Sequence, residues 1–479
     1  MAMPFRRDWW KPWNWSTRTW FLVIIALALI SPLMTRWACL WQVPDIALPF
    51  KIDDVICEVV PADADAIGRY VVALRLLDNP PTESLSDKKS FQRIEDLYRA
   101  QEQALASVDR TWDDRLNQWL QNRSNSLAEY RLASEMQAAG GPSLKTASRD
   151  TAVNEHQKVP RLAKLAELEA IRLERAGEFD AAWNCLLANL RCARHCQMPR
   201  FDICHLIGNA IRSSAYRGIA RWAEQPSLTK EQLQAARHEL VIDLAQAVPT
   251  SELIKANYLQ FKNWMEQDGG PNHLYPRWSL ASPEEPQVLF GKRMLLWVVG
   301  QPEVQLRLAR QLLVNNLEQI HLPLHLRRES FNLKPEFVFV RDPHDRDLPG
   351  QLAPERLRAL VESQLTKMPD LQGYLIGGET MDRVNRVDAA RRQTLDVVLA
   401  CHLYQRLHGE FPEAMEQLVP AFLDSIPFDP KDSTGAAVRY RRETNGEAIS
   451  WSVGWDAVDD GGDISTREPK DIGYRIRLD

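Results

Sequence analysis

Hydrophobic positions fall into three regimes along the chain. The first is a continuous block: between Arg18 and Arg36 lie seventeen uncharged residues, Thr19 to Thr35. As a helix this block covers roughly 25 Å, close to the lower limit for crossing a bilayer. Trp20, Phe21, Leu22, Val23, Ile24, Ile25, Leu27, Leu29 and Ile30 are the residues expected to face lipid. Snorkelling of the two flanking arginines extends the reach, and Pro32 near the exit end is tolerable in a membrane helix.

The second regime, from about 60 to 410, repeats apolar residues at three- and four-residue spacing and is poor in glycine, which predicts amphipathic helices. These are expected near 92–136, 158–176, 179–197, 203–224, 229–246, 250–267, 303–320, 353–367 and 380–408. Asn79–Ser90, Gly140–Val159 and Asp268–Pro286 break the pattern with Gly, Pro, Ser and charge, and are read as loops. Thr229 and Gln232 have capping-box spacing, and Gly409 after a basic last turn suits a left-handed cap. Ala210, Ser214, Gly218 and Trp222, four apart, suggest a close helix–helix seam. Gly177-Glu178-Phe179-Asp180-Ala181-Ala182 is similar to a tetratricopeptide inter-helix turn. No second copy follows at that period, so a plain helix pair in a larger bundle is the preferred reading.

The third regime has period two. Pro412–Val419 reads as a short helix with Met415 and Leu418 inward. Pro420, Pro427 and Pro430 then preclude regular helix. Val438, Tyr440 and Arg442 alternate with Arg439 and Arg441, Asn445-Gly446 follows, and Ile449, Trp451 and Val453 alternate with Ser450 and Ser452. Period-two patterning around Asn-Gly predicts a hairpin. The fold class is therefore mainly α: one N-terminal transmembrane helix, a bundle or repeat-like helical body, and a small C-terminal α+β module. The corresponding segments are 1–18 (basic and Trp-rich, cytoplasmic), 19–41 (anchor), 45–375 (helical, extracytoplasmic) and 380–479 (module).

Composition adds orientation and excludes one class. Seven of the sixteen tryptophans fall in the first 41 residues, bracketing the apolar block where amphipathic rings favour the headgroup level. Residues 1–18 carry four basic residues against Asp8, whereas 36–60 carry Arg36 and Lys51 against Asp45, Asp53, Asp54 and Glu58. The N-terminus is expected inside and the bulk of the chain outside. A cleaved signal peptide is the rival, but it lacks an Ala-x-Ala-like site, and Arg-Trp-Ala before Cys39 is a poor lipobox. A net charge of −5 with no dense basic block beyond the N-terminus argues against a nucleic-acid partner.

The C-terminal residues carry a family resemblance. A long helix ends in His408-Gly409-Glu410-Phe411-Pro412. Leu418-Val419-Pro420, Ile426-Pro427-Phe428-Asp429-Pro430, Tyr440-Arg441-Arg442 and Ser452-Val453-Gly454-Trp455-Asp456 follow, and the series closes on Asp459-Asp460-Gly461-Gly462-Asp463-Ile464. This order resembles the globular part of the G-type major pseudopilins of type II secretion. The resemblance implies calcium bound by Asp456, Asp459, Asp460 and Asp463, clustered carboxylates being what a hard, oxygen-seeking cation takes. The apolar block contains no Glu and some 340 residues separate it from the module, so a reused module is implied rather than a polymerising subunit.

Other chemistry is sparse. Cys185, Cys192 and Cys196 share one helix face, with His195, Cys204 and His205 nearby. Their spacing lacks the short zinc knuckle, i,i+4 cysteines are poorly placed to bridge, and the surrounding leucines favour plain burial. Metal or redox work by Cys192, Cys196 and His195 is the alternative, and in an oxidising envelope a bridge from this face to Cys57 or Cys401 stays open. His321 and His325 flank Pro323, Arg341–Asp347 is a charged loop, and His238-Glu239 lacks a zincin's second histidine. No Walker, dinucleotide or nucleophile-elbow motif is present. The leading expectation is a non-enzymatic envelope scaffold, single-pass in a bacterial inner membrane, contacting lipid and envelope proteins, its small-molecule ligand undefined. The alternatives are an anchored enzyme using the Cys/His cluster and an accessory of a secretion or pilus-like machine.

Overall fold

The apolar block forms a helix that begins where Ser16 accepts the Thr19 amide at 3.2 Å and runs through Pro32 to Gln42. A computed structural model describes residues 16–56, 60–78, 114–147, 153–267, 294–295, 297–327, 330–331, 337–338, 350, 352–365, 369–454, 456–464 and 469–477. The longer helices, in chain order, are α1 (Thr17–Gln42), α2 (Ala66–Asp78), α3 (Ser124–Ser134), α4 (Pro160–Arg175), α5 (Phe179–Gln197), α6 (Asp202–Ala223), α7 (Lys230–Ala245), α8 (Thr250–Gln267), α9 (Glu303–Gln319), α10 (Pro354–Leu365) and α11 (Pro369–His408). Strands β1 (Arg439–Arg442), β2 (Ala448–Ser452) and β3 (Ile472–Ile476) form an antiparallel sheet in that order. The chain is mainly helical, with one N-terminal apolar helix and a small C-terminal three-stranded sheet.

The chain divides into two compact units. The first comprises Met1–Pro49, Phe261–Asn315 and Arg341–Tyr374. Here the end of α1 is tied to α9: Arg307 donates to the carbonyls of Leu40 and Val43, both at 3.2 Å, and Arg36 pairs with Glu303 at 3.0 Å. Gln311, almost fully buried, donates to the carbonyls of Pro44 and Gly350 and accepts the Leu352 amide. Those bonds satisfy backbone groups that would be costly to bury alone.

The second unit comprises Phe50–Gln260, Asn316–Val340 and Leu375–Asp479. One continuous apolar core joins α2 through α7, the α11 stretch Leu395–Leu403, and the sheet residues Ala448, Tyr474 and Ile476. The α4–α5 turn is a Schellman cap: Gly177 sits at φ +76°, its amide reaches the Glu174 carbonyl at 3.0 Å, and the Glu178 amide reaches Leu173 at 2.9 Å. The capping box at Thr229 and Gln232 forms in both directions, and Gly409 closes α11 with φ +85°.

Several local expectations change. Helix 92–136 is interrupted at Asn122-Arg123 into Asp114–Gln121 and α3, and its part before 114 lies outside the described residues. The expected loop Gly140–Val159 holds a short helix, Asn154–Lys158. The helix expected from 380 starts at Pro369. Pro412–Val419 is reduced to a 3-10 turn, Met415–Leu418, because Ala414 before it is extended. The small-residue seam is only partly a seam: Ala210 is exposed, Gly218 lies close against the Leu186 side chain, and it is Gly208, off the expected row, that meets the neighbouring backbone.

The hairpin expected around Asn445-Gly446 forms, with a loop of three residues, Thr444 to Gly446. Gly446 donates to the Glu443 carbonyl at 3.0 Å with φ +87°, and the Glu443 amide donates to Glu447, giving a turn closed by a glycine bulge. Strand β3 was not expected; its pattern is short, but Ile472, Tyr474 and Ile476 are buried alternately and pair with β2. The expected loops Asn79–Ser90 and Asp268–Pro286, the charged segment Arg341–Asp347, Cys57, Trp455 and most of segment 1–18 lie outside the described residues.

Candidate functional site

The Cys/His cluster of α5 is interior. Cys185, Cys192, Cys196 and His195 are all fully buried, and Cys39, Cys185, Cys192, Cys196, Cys204 and Cys401 are free thiols. Both nitrogens of His195 are engaged: Nε2 lies 2.8 Å from the Met136 carbonyl and Nδ1 lies 2.9 Å from the Tyr70 hydroxyl. A carbonyl only accepts, so Nε2 carries the proton and Nδ1 accepts from the tyrosine. Burial, aided by Arg194, pulls His195 down to about 4. It is a neutral, doubly bonded ring with no lone pair left for a metal. Tyr130 donates to Asn189 at 2.7 Å, and Asn189 donates to the Ala163 carbonyl at 2.9 Å. Cys192 rests against both tyrosine hydroxyls. These polar groups join α2, α3, α4 and α5.

A second buried network escaped the sequence reading. Arg212 on α6, 3 % exposed, faces Asp243 on α7 at 3.2 Å and Asp388 on α11 at 3.4 Å, and donates to Gln197 at 3.0 Å. Gln197 donates to Asn209 at 2.6 Å. Asn209 contacts His205, which bonds Asn385, and Asn385 donates to Thr250 at 3.0 Å. Burial raises the Asp243 carboxyl despite the pull of Arg212. A single guanidinium holding two carboxylates inside a helical body is costly in desolvation, and removing one partner leaves a bare charge. Such a network fixes how helices register against each other. No short-range spacing announces it, because its members come from five helices, spread from Gln197 to Asp388 along the chain.

Beside it opens a cleft of about 290 Å³, lined by Glu135, Arg191, Arg194, Glu239, Asp243 and Gln246 among others. Its walls mix both charges, and Arg194 is already engaged by Gln246.

The acidic loop is organised by protein donors. Asp459 accepts from the Trp451 indole at 2.9 Å, the Gly461 amide at 3.0 Å and Arg439 at 3.2 Å, so both its oxygens are in use. Asp456 accepts the Val458 amide at 3.1 Å, and Asp460 pairs with Lys470 at 3.3 Å. Asp471, absent from the sequence reading, receives the amides of Asp460, Gly462 and Asp463. The Asp463 carbonyl accepts the amides of Lys470 and Asp471, both at 3.0 Å. Among the described residues no three His, Cys, Asp or Glu side chains converge as a metal-binding group.

No family model, curated protein or solved structure matches this chain.

The residues expected to face lipid remain the most distinctive. Trp20, Phe21, Leu22, Ile24, Ile25, Leu27, Leu29 and Ile30 are exposed, Val23 is half-buried, and α1 buries none of its side chains. It is the one described helix long and apolar enough to cross a membrane. A membrane anchor and a signal sequence both present such a helix.

Proposed function

We propose that α1 is an uncleaved anchor and that the chain is a membrane-tethered, extracytoplasmic interaction protein. The observation that carries this is the exposure of an unbroken apolar helix whose far end is built into folded structure. Leaving that many large side chains in water is strongly unfavourable, at about 25 cal/mol per Å² of apolar surface. The bonds from Arg36 and Arg307 to α9 and the α1 terminus support retention over cleavage, since a signal peptidase cut before Val43 would remove partners of the folded unit.

The C-terminal module supports the pseudopilin-like part of the reading in its element order: the end of α11, the Pro-rich connection, then the antiparallel sheet sharing one core with that helix. The Cys/His cluster lends no weight to an enzymatic reading, because His195 is neutral and saturated.

The test is fractionation and intact mass of the full-length chain. It should remain in the pellet after alkaline carbonate washing, be released by detergent, and retain its N-terminal residues. A chain of full mass in the supernatant would overturn the anchor, and a membrane-free chain starting after residue 35 would establish a signal sequence.

A further inference from the structure

We propose that Met294, Leu295 and Trp297 form a second membrane-contacting element, seated in the headgroup layer beside the point where α1 leaves the hydrocarbon; the inference rests on the anchor reading. The sequence Met294-Leu295-Leu296-Trp297-Val298-Val299 is wholly apolar and follows Lys292-Arg293. Met294 and Leu295 are 52 % and 61 % exposed, and Trp297 is 39 % exposed, although nothing polar interrupts the run.

Placement is fixed by Arg36, the first charge after the apolar block. Its guanidinium lies 5.0 Å from the Trp297 ring centroid, donates to the Trp297 carbonyl at 2.7 Å, and pairs with Glu303 at 3.0 Å. Residues 294–295 and 297–298 are helical. The turn is closed by Gly300, whose amide donates to the Trp297 carbonyl at 3.0 Å and whose own carbonyl accepts the Val304 amide. Gly300 has φ +77°, and a Cβ there would meet Val304 at 2.8 Å and Leu40 at 3.4 Å, so the segment packs tightly against the end of α1. Wherever Arg36 sits at the lipid boundary, Trp297 sits with it.

The chemistry selects lipid. Tryptophan gains most at the headgroup level, and the paired Trp37 and Trp41, 5.1 Å apart and exposed, occupy the same end of α1. An apolar segment next to two basic residues suits the boundary of an anionic leaflet. Through Arg36 and Leu40 the patch lies beside the end of α1, whose apolar side chains are exposed, which favours lipid over a protein partner.

The test uses the full-length chain with Cys39→Ser and Cys57→Ser, the five other cysteines being buried, reconstituted in vesicles of equal parts phosphatidylethanolamine and phosphatidylglycerol. Spin labels are placed singly by Leu295→Cys, by Met294→Cys as a second position, and by Ile25→Cys in the apolar block. Collision rates with oxygen and with a water-soluble nickel chelate report depth. The expected result is an oxygen-to-nickel ratio several-fold above that of a fully aqueous label at 294 and 295, and higher still at 25. A lipid-like label at 25 with aqueous labels at 294 and 295 overturns the second contact and leaves the anchor standing. An aqueous label at 25 overturns the anchor itself. Mutual broadening of labels at 295 between copies shows the face covered by a second molecule, which also overturns the lipid assignment.

Discussion

The carboxylate of Asp429 accepts the Ser452 hydroxyl at 2.6 Å, with both residues fully buried in the C-terminal module. The same carboxylate accepts the amides of Lys431 and Val453, each at 2.9 Å, and an ion pair from Arg439. Arg439 in turn reaches Asp432 and Asp459. One side chain from the Pro-x-Asp-Pro step thus ties the connection, β1 and the end of β2 together.

Asp429→Ala should therefore destabilise the module by about 3 kcal/mol or more, because it leaves the buried amides of Lys431 and Val453 and the Ser452 hydroxyl without their acceptor, while Arg439 keeps Asp432 and Asp459. Ser452→Ala should cost only about 1 kcal/mol, one neutral donor being lost. Hydrogen exchange at Val453 and along β2 reads both. Unchanged protection in Asp429→Ala would show that the network is not what holds the sheet.

Gly208 and Gly177 make a paired test of packing against conformation. A Cβ at Gly208 would lie 2.6 Å from the Ala193 carbonyl oxygen and 2.6 Å from Gln197, whereas one at Gly177 meets nothing within 4 Å. Gly208→Ala should cost about 2 kcal/mol through overpacking of α5 on α6. Gly177→Ala should cost about 1 kcal/mol, from its positive φ alone. Thermal unfolding of the detergent-solubilised chain ranks them, and the reverse order would refute the close α5–α6 approach.

Burial lowers His195 and His205 from 6.5 to about 4, and His402 to about 3, with Arg194, Arg212 and Arg406 adding to the effect. The unfolded chain protonates these rings near pH 6.5 while the folded chain keeps them neutral, so stability is full above that pH and falls as the pH drops toward 4. Each ring contributes at its limit on the order of 3 kcal/mol. The unfolding temperature should already be lower at pH 5 than at pH 7. His402 has a buried Nε2 without a hydrogen bond, so His402→Leu should flatten the profile at little cost in stability. An identical slope in parent and variant would dissociate His402 from the effect.

Calcium can enter the acidic loop only in competition with cations already there, Arg439 at Asp459 and Lys470 at Asp460. Removing the more exposed one, in Lys470→Gln, should raise apparent calcium affinity roughly two- to fivefold, the scale of a surface ion pair. Isothermal titration decides this. Superimposable curves would remove Asp460 from any ligand set, and no heat in either chain would leave the loop to its protein donors.

The sequence by itself determined whatever depends on neighbours in the chain. Seventeen uncharged residues set α1, three- and four-residue apolar spacing set α4 to α7, Thr229 with Gln232 set a capping box, and alternation around Asn445-Gly446 set the β1–β2 hairpin. Each is a local choice between backbone conformations, so a few adjacent side chains suffice to make it. Tertiary structure alone decided which polar groups meet. It made His195 a saturated core residue rather than a ligand, and it joined Arg212 to Asp243 and Asp388 from separate helices. It gave the acidic loop an organiser in Asp471 and set Trp297 against Arg36. Those pairings follow from burial, where an unpaired charge or amide is too costly to keep, and nothing in local spacing records which distant residue will satisfy it.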